Sequence, residues 1–202
     1  MELMDQLGVA FGLATLAGLN LYLTVAVVGF AVRFQWLELS GPYEHLAVLG
    51  NPWILGVAVA LFSIEFLADK VPWVDSAWDA VHTVIRPSGA ILLAITALGN
   101  MDPALTVVAA LCAGSAALVT HGTKATARLV MNASPEPISN SVASLAEDGV
   151  VVGGLGLMAL APMVALFVFI AMLIVCIVLL RWMWKKLASL RMKRATAKRA
   201  MA

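Results

Sequence analysis

The chain has 202 residues, of which 62% are hydrophobic and only 12% charged, with a formal net charge of +1 and a mean hydropathy of +0.95. Soluble domains run at about 45–50% apolar and about 25% charged, so this surplus cannot be buried inside one water-facing globule, and lipid has to be the solvent. The same figures exclude a disordered or collagen-like chain, and the near-neutral charge gives nucleic-acid binding no support.

The N-terminus, MELMDQ, carries Glu2 and Asp5 where a secretory signal carries basic residues, and the apolar run that follows continues from Leu7 to Val32. That run is longer than the apolar stretch of about 7–15 residues in a signal peptide. The expectation is a retained first transmembrane helix over 7–32. Asn20 and Thr24 share a face of it at mid-membrane, with Tyr22 nearby, and Gly8, Gly12, Ala14 and Gly18 offer small surfaces for close helix contact. A spanning helix needs about 20 mostly apolar residues, and 52–68, 104–130 and 163–183 are further clear spans. Residues 89–99 and 149–161 are apolar but short for a hydrocarbon core roughly 30 Å thick. Joined to the polar stretches 73–86 and 139–148 before them, they give spans near 73–99 and 139–161, with the third and fifth half polar and expected to be short or broken.

The fold class is therefore an all-α polytopic integral membrane protein with about six transmembrane helices. Residues 1–162 form the membrane bundle core, 163–183 a peripheral last span and 184–202 a basic tail. Cys112 and Cys176 both lie in apolar runs and read as packing residues. The tail region carries Arg181, Lys185, Lys186, Arg191, Lys193, Arg194, Lys198 and Arg199, and such clusters stay cytoplasmic. Six spans then place the N-terminus on the cytoplasmic side too, together with Lys70, Arg86, Lys124 and Arg128. Sliding the chain by 65 residues superimposes Pro72 on Pro137, Asp75 on Asn140, Ser76 on Ser141 and Gly89 on Gly154. This marks a candidate parallel two-hairpin repeat, and paired interrupted helices in two halves of a chain point to a midplane binding site.

The polar residues concentrate at the same end of the spans. Glu65 and Asp69 are four apart, and Asp75, Asp79, His82 and Arg86 form one stripe at spacings of 4, 3 and 4. His121, Lys124 and Arg128 form another, and Glu147 and Asp148 follow the SPEPISNS turn. A lone charge at the bilayer centre costs roughly 2.5–3.5 kcal/mol on insertion scales, so an acidic first hairpin beside a basic fourth span is expected to pair. The same groups also fit an ion-pair lattice that merely fixes the bundle, or groups solvated among headgroups. The D-x-x-x-D-x-x-H spacing leaves a metal held by Asp75, Asp79 and His82 as a further option. No HExxH, GxSxG or phosphate-binding loop is present, and no nucleophile–base pair is evident.

The segments AGLNLYLT (17–24), EFLADKVPWVDSAWDAVHTVIRPSGA (65–90) and SPEPISNSVASLAEDG (134–149) resemble the bacterial membrane-protein family known as domain of unknown function family 4126, over about residues 5–162. The resemblance implies a multi-pass bacterial membrane protein and carries over no catalytic residues. With the charge asymmetry it places the chain in the bacterial inner membrane with both termini cytoplasmic.

Three functions follow from these readings. The favoured one is a small transporter, channel or lipid-headgroup translocase with a charged cytoplasm-facing cleft between the two hairpins. Its substrate-binding candidates are Asn20, Glu65, Asp69, Lys70, Asp75, Asp79, His82, Arg86, Lys124, Arg128, Asn140, Ser141, Glu147 and Asp148. The alternatives are a non-catalytic scaffold or assembly factor and a metal-dependent intramembrane enzyme acting on a lipid phosphate. No cofactor is called for. The expected partners are the bilayer, anionic headgroups at the basic tail, and a second copy of the chain if six helices make too small a translocation unit.

Overall fold

A computed structural model of the chain describes residues 2–37, 39, 41–131 and 137–200. Its helices are α1 (Glu2–Leu19), α2 (Leu21–Arg33), a 3-10 helix (Gly41–Gly50), α3 (Pro52–Ala68), α4 (Pro72–Leu98), α5 (Pro103–Met131), α6 (Pro137–Leu160) and α7 (Pro162–Ala200). Each helix from α3 onward opens on a proline, whose fixed φ suits the first helical position and whose missing N–H would have had no intrahelical partner there. Proline thus cuts an apolar chain into rods. By length and composition α4, α5, α6 and α7 can cross a membrane, and α3 joins them if the 3-10 helix, bent 69° from it, is counted as part of one span.

The single helix expected over 7–32 is instead two helices that fold back on each other. Asn20 leaves helical geometry at φ −148°, ψ 100°, and its side-chain oxygen accepts from Leu23 N at 3.0 Å to cap α2. The direction of each half follows from its neighbours. Along α1, Gly8 lies beside Leu166 and Pro162, Gly12 beside Phe169 and Met158, and Gly18 beside Ala117 and Thr120. So α1 starts at the α6–α7 connection and runs toward the end of α5. Along α2, Leu21 packs on Gly89, while Val27, Val28 and Ala31 line one groove with Val9 and Leu13 of α1. So α2 returns to the end where α1 began. Seven helices then alternate in direction, and the start of α1 and the end of α7 lie at opposite ends of the bundle. The six-span expectation of two termini on one side does not carry over, because one of its spans is a hairpin.

The third and fifth spans, expected to be short or broken, are continuous. Pro87 sits inside α4 without ending it. It removes one backbone hydrogen bond, yet Ala90, Leu93, Ala94, Ala97 and Leu98 just beyond it are buried in the core and hold the helix in line. Helices α4 and α6 both start at the prolines that the 65-residue offset aligns, and run in the same direction. Residues 132–136 of the second hairpin's tip lie outside the described residues.

Helix α1 is the centre of the bundle. Leu13, Ala14, Leu16 and Ala17 are fully buried among α4, α5, α6 and α7. The alanines of α4 and α5, including Ala94, Ala97, Ala113 and Ala117, let backbones approach where lipid supplies no hydrophobic drive for helix association. A Cβ at Gly18 would collide with the Thr120 side chain and the Ala117 carbonyl. As far as Lys186, helix α7 packs by one stripe, Ala165, Phe169, Leu173, Cys176 and Met183, and its other side chains are exposed or half-buried. It continues without a break into the basic tail.

The alternating helices make a direct prediction. Cysteines placed at Asp5 and at Lys198 in a chain otherwise free of cysteine should react with an impermeant maleimide from opposite faces of sealed vesicles. Labelling of both from one face contradicts the hairpin.

Candidate functional site

Five elements meet at one end of the bundle and bring most of the ionisable side chains of the spans together. The last turns of α3 supply Glu65 and Asp69. The stripe on α4 supplies Asp75, Asp79, His82 and Arg86. Helix α5 supplies His121, Lys124 and Arg128, and α6 supplies Asn140, Ser144, Glu147 and Asp148. The α1–α2 tip supplies the Gly18 and Leu19 carbonyls, Asn20 and Tyr22. The charges of α4 share one face because spacings of three and four do so on any helix. That face turns inward because lipid on the outer side cannot solvate it.

Arg86, fully buried, is the hub. Its Nη2 donates to Glu65 Oε1 at 2.6 Å and lies 3.9 Å from Asp79 Oδ1. Its Nη1 donates to the Gly18 carbonyl at 3.3 Å and to His121 Nδ1 at 2.9 Å. Lys124 Nζ donates to the Leu19 carbonyl at 3.3 Å and lies 3.2 Å from Glu147, 3.6 Å from Glu65 and 3.8 Å from Asp69. Arg128 donates to Glu147 Oε2 at 2.8 Å and to the Asn140 carbonyl at 3.1 Å, within 3.7 Å of Asp69 and 4.0 Å of Asp75. Ser144 Oγ donates to Asp69 at 2.9 Å, and Asn20 Nδ2 donates to Asp148 at 3.0 Å.

The helix break falls where it does because this cluster satisfies it. The last carbonyls of a helix have no intrahelical partner, and the end carries partial negative charge. At α1 the two cations cover Gly18 and Leu19, and Thr120 Oγ1 donates to the Thr15 carbonyl at 3.1 Å. Asn20 serves both helices at once: its oxygen caps α2 and its nitrogen reaches Asp148.

Both histidines of the cluster have their two ring nitrogens hydrogen-bonded. His121 accepts from Arg86 at Nδ1, so its proton is on Nε2, which donates to the Asp79 carbonyl at 3.0 Å. His82 donates from Nδ1 to the Trp78 carbonyl at 2.8 Å and shares a hydrogen bond between Nε2 and the Tyr22 hydroxyl, 2.9 Å away. With both its nitrogens engaged, His82 does not join Asp75 and Asp79 as a ligand set. Among the described residues no group of three His, Cys, Asp or Glu side chains could hold a metal ion.

Most of the residues singled out in the sequence meet here, with two qualifications. Lys70 is turned away: its Nζ lies over the Phe66 ring, 4.2 Å from the centroid. Ser141 is half-buried beside Asn140, and it is Ser144 that bonds Asp69. Ser144 lies one turn from both Asn140 and Asp148, so the stripe on α6 could have been extended through it. Tyr22 stands out in the sequence only as a neighbour of Asn20, and Thr120 has no charge to draw attention to it. The expected water-filled cleft is closed in this structure. Glu65, Asp75, Arg86 and Arg128 are at most 1% exposed, and the cluster approaches the surface through Glu147 and the half-buried Asp148 on α6.

Against known proteins, the family model described as Domain of unknown function (DUF4126) matches residues 7–182. The chain belongs to that family. The match extends past the 5–162 of the sequence resemblance and takes in α1 to α6 and the spanning part of α7, so the last helix is part of the family's unit. No curated protein and no solved structure matches the chain.

Removing one member of a buried pair strands the other, which costs about 3–5 kcal/mol, whereas replacing both by apolar groups of similar volume is often neutral. Arg86→Met should therefore lower thermal stability in detergent severely, and Arg86→Met with Glu65→Leu should recover part of the loss. Equal loss in the single and double variants would show that Gly18 and His121, and not Glu65, depend on Arg86.

Proposed function

We propose that this chain is a small membrane transporter in which the charge cluster is the transport site and the α1–α2 hairpin its moving part. One observation carries the reading: a helical hairpin ends inside an apolar bundle, and its tip rests on buried charge. Irregular backbone at membrane depth persists only where it is buried in protein or lines a pathway, and half-helices that end on ionisable groups mark transport sites. The tip is held by hydrogen bonds to the side chains of Arg86 and Lys124, and not by continuous helix. Helix α2 has room to move. Apolar grooves of about 530 Å³ and about 440 Å³ flank it, the first against α1 and α6 and the second against α3 and α4.

Orientation follows from charge. Lys70, Arg86, Lys124 and Arg128 lie toward the end of the bundle from which α7 emerges with Arg181, Lys185 and Lys186, and basic residues stay cytoplasmic. The cluster then sits in the cytoplasmic half of the bacterial inner membrane, with the start of α1 on the other side. The extension of α7 fits anionic headgroups on the cytoplasmic leaflet, and a second copy of the chain remains the partner proposed for so small a unit.

The scaffold reading predicts a lattice that never opens. Ser144→Cys, made with Cys112 and Cys176 replaced by Ala, separates the two. A transporter should admit a small impermeant cationic thiol reagent to position 144 from the cytoplasmic face, and with alternation from the opposite face as well. No reaction from either face, in a chain that folds, contradicts transport and leaves the lattice as a structural lock.

A further inference from the structure

The cluster holds more negative than positive charge. Its carboxyl groups are Glu65, Asp69, Asp75, Asp79, Glu147 and Asp148, and its cations are Arg86, Lys124 and Arg128. His121 adds nothing, since its Nδ1 accepts from Arg86, and His82 bonds the Trp78 carbonyl and the Tyr22 hydroxyl, not a carboxyl group. Lys70 points at Phe66. Asp148 is half-buried and Glu147 reaches the surface, so water carries part of that excess; the rest falls on the enclosed carboxyl groups Glu65, Asp69, Asp75 and Asp79, which share the three cations with Glu147, and an uncompensated charge there is costly. Something positive has to bind, and a proton is the ion that needs no coordination cage.

The carboxyl groups are not equally provided for. Glu65 takes Arg86 at 2.6 Å, Glu147 takes Arg128 at 2.8 Å, and Asp69 accepts the Ser144 hydroxyl. Asp148 accepts the Asn20 amide and is half-buried. Asp75 lies 4.0 Å from Arg128 and sits in the first turn of α4, where the helix dipole favours negative charge. Asp79, one turn further along α4, is outside that first turn. It is 4% exposed, its closest cation, Arg86, stands 3.9 Å from Oδ1, and its Oδ2 has no hydrogen-bond partner. The charged groups that act on it are Arg86 and Asp75 from its own helix, Lys124 from α5 and Asp69 from α3, while His121 from α5 bonds only its backbone carbonyl. The α1–α2 tip reaches α4 through the Gly18 carbonyl on Arg86 and the Tyr22 hydroxyl on His82. A second polar group is left open nearby: the Asn140 amide, 1% exposed and one turn before Ser144 on α6, has neither side-chain atom hydrogen-bonded.

Building on the transport reading, we propose that Asp79 is the proton-carrying group of this site and that the coupled ion is H⁺. In the arrangement seen, Asp79 is a neutral carboxylic acid, and Arg86 is free to hold Glu65 and the Gly18 carbonyl. When the O–H bond of Asp79 breaks, the proton passes to water entering beside Glu147 and Asp148, and the pair of electrons stays on the carboxylate. The new anion competes for Arg86 across a gap of 3.9 Å. Any movement of the guanidinium toward Asp79 loosens its bond to the end of α1, so proton loss and release of the hairpin tip are one event.

Infrared spectroscopy of the full chain in lipid nanodiscs tests this. The wild type should show the carbonyl stretch of a protonated carboxylic acid at neutral pH, lost on raising the pH. Asp79→Asn should remove that band and Asp79→Glu should shift it, while Asp148→Asn should leave it in place. In vesicles loaded with a pH-sensitive dye and given a potassium diffusion potential, the wild type should move protons and Asp79→Asn should not. A wild type without the band, or a band that survives Asp79→Asn, overturns the assignment whatever the variants' stability. If the assignment fails while position 144 still reacts with the thiol reagent, transport stands with another ion. If position 144 is also inert, the transport reading fails with it.

Discussion

The end of α1 has carbonyl groups and no further turn of helix to receive them, and Arg86 and Lys124 supply the missing donors. The rest of the arrangement depends on that substitution. It lets the backbone turn back at Asn20 inside an apolar environment, where an unsatisfied peptide group costs several kcal/mol. It also explains why two cations are buried so deeply: each is compensated by a carboxylate on one side and by the negative end of a helix on the other. The acidic residues of α3 and α4 are needed to keep those cations charged, and α6 closes the assembly through Glu147 and Ser144. Removing the tip would take one acceptor from each cation, and removing the cations would leave the Gly18 and Leu19 carbonyls without donors.

Much of this was legible in the sequence, for identifiable reasons. The class follows from composition alone. The joining of α3, α4, α5 and α6 through their polar stripes follows from spacings of three and four, because a charge inside a membrane has nowhere else to go. The hairpin was not legible. An unbroken apolar run from Leu7 to Val32 has the length of one span, and Asn20 is as well suited to bonding a neighbouring helix as to capping a new one. What decides between them is the set of donors waiting on α4 and α5, and these act across about a hundred residues of sequence. The small residues did signal close packing, but Gly18 serves a different purpose from Gly8 and Gly12: it admits Ala117 and Thr120 beside the break, where the other two admit α7.

Pro87 shows the opposite limit. Local chemistry puts a break there, and packing overrides it, since the residues on its C-terminal side are held in the core around α1. The interruptions expected in the third and fifth spans are absent, and the break lies instead in the first helix pair, which carries no proline or charge there. For the site, the balance of charges could be counted from sequence. Which carboxyl group goes without a close cation could not, because that depends on which oxygen each guanidinium reaches.

The account stands on the chain turning back at Asn20. Cysteines at Val9 and Val28 in a chain otherwise free of cysteine, treated in native membranes with a short bifunctional thiol reagent, measure this directly. The hairpin places both on one groove and predicts an intramolecular cross-link. A single straight helix would hold them about 28 Å apart at about 1.5 Å per residue. Modification of both cysteines without a cross-link would contradict the hairpin and the site built around its tip.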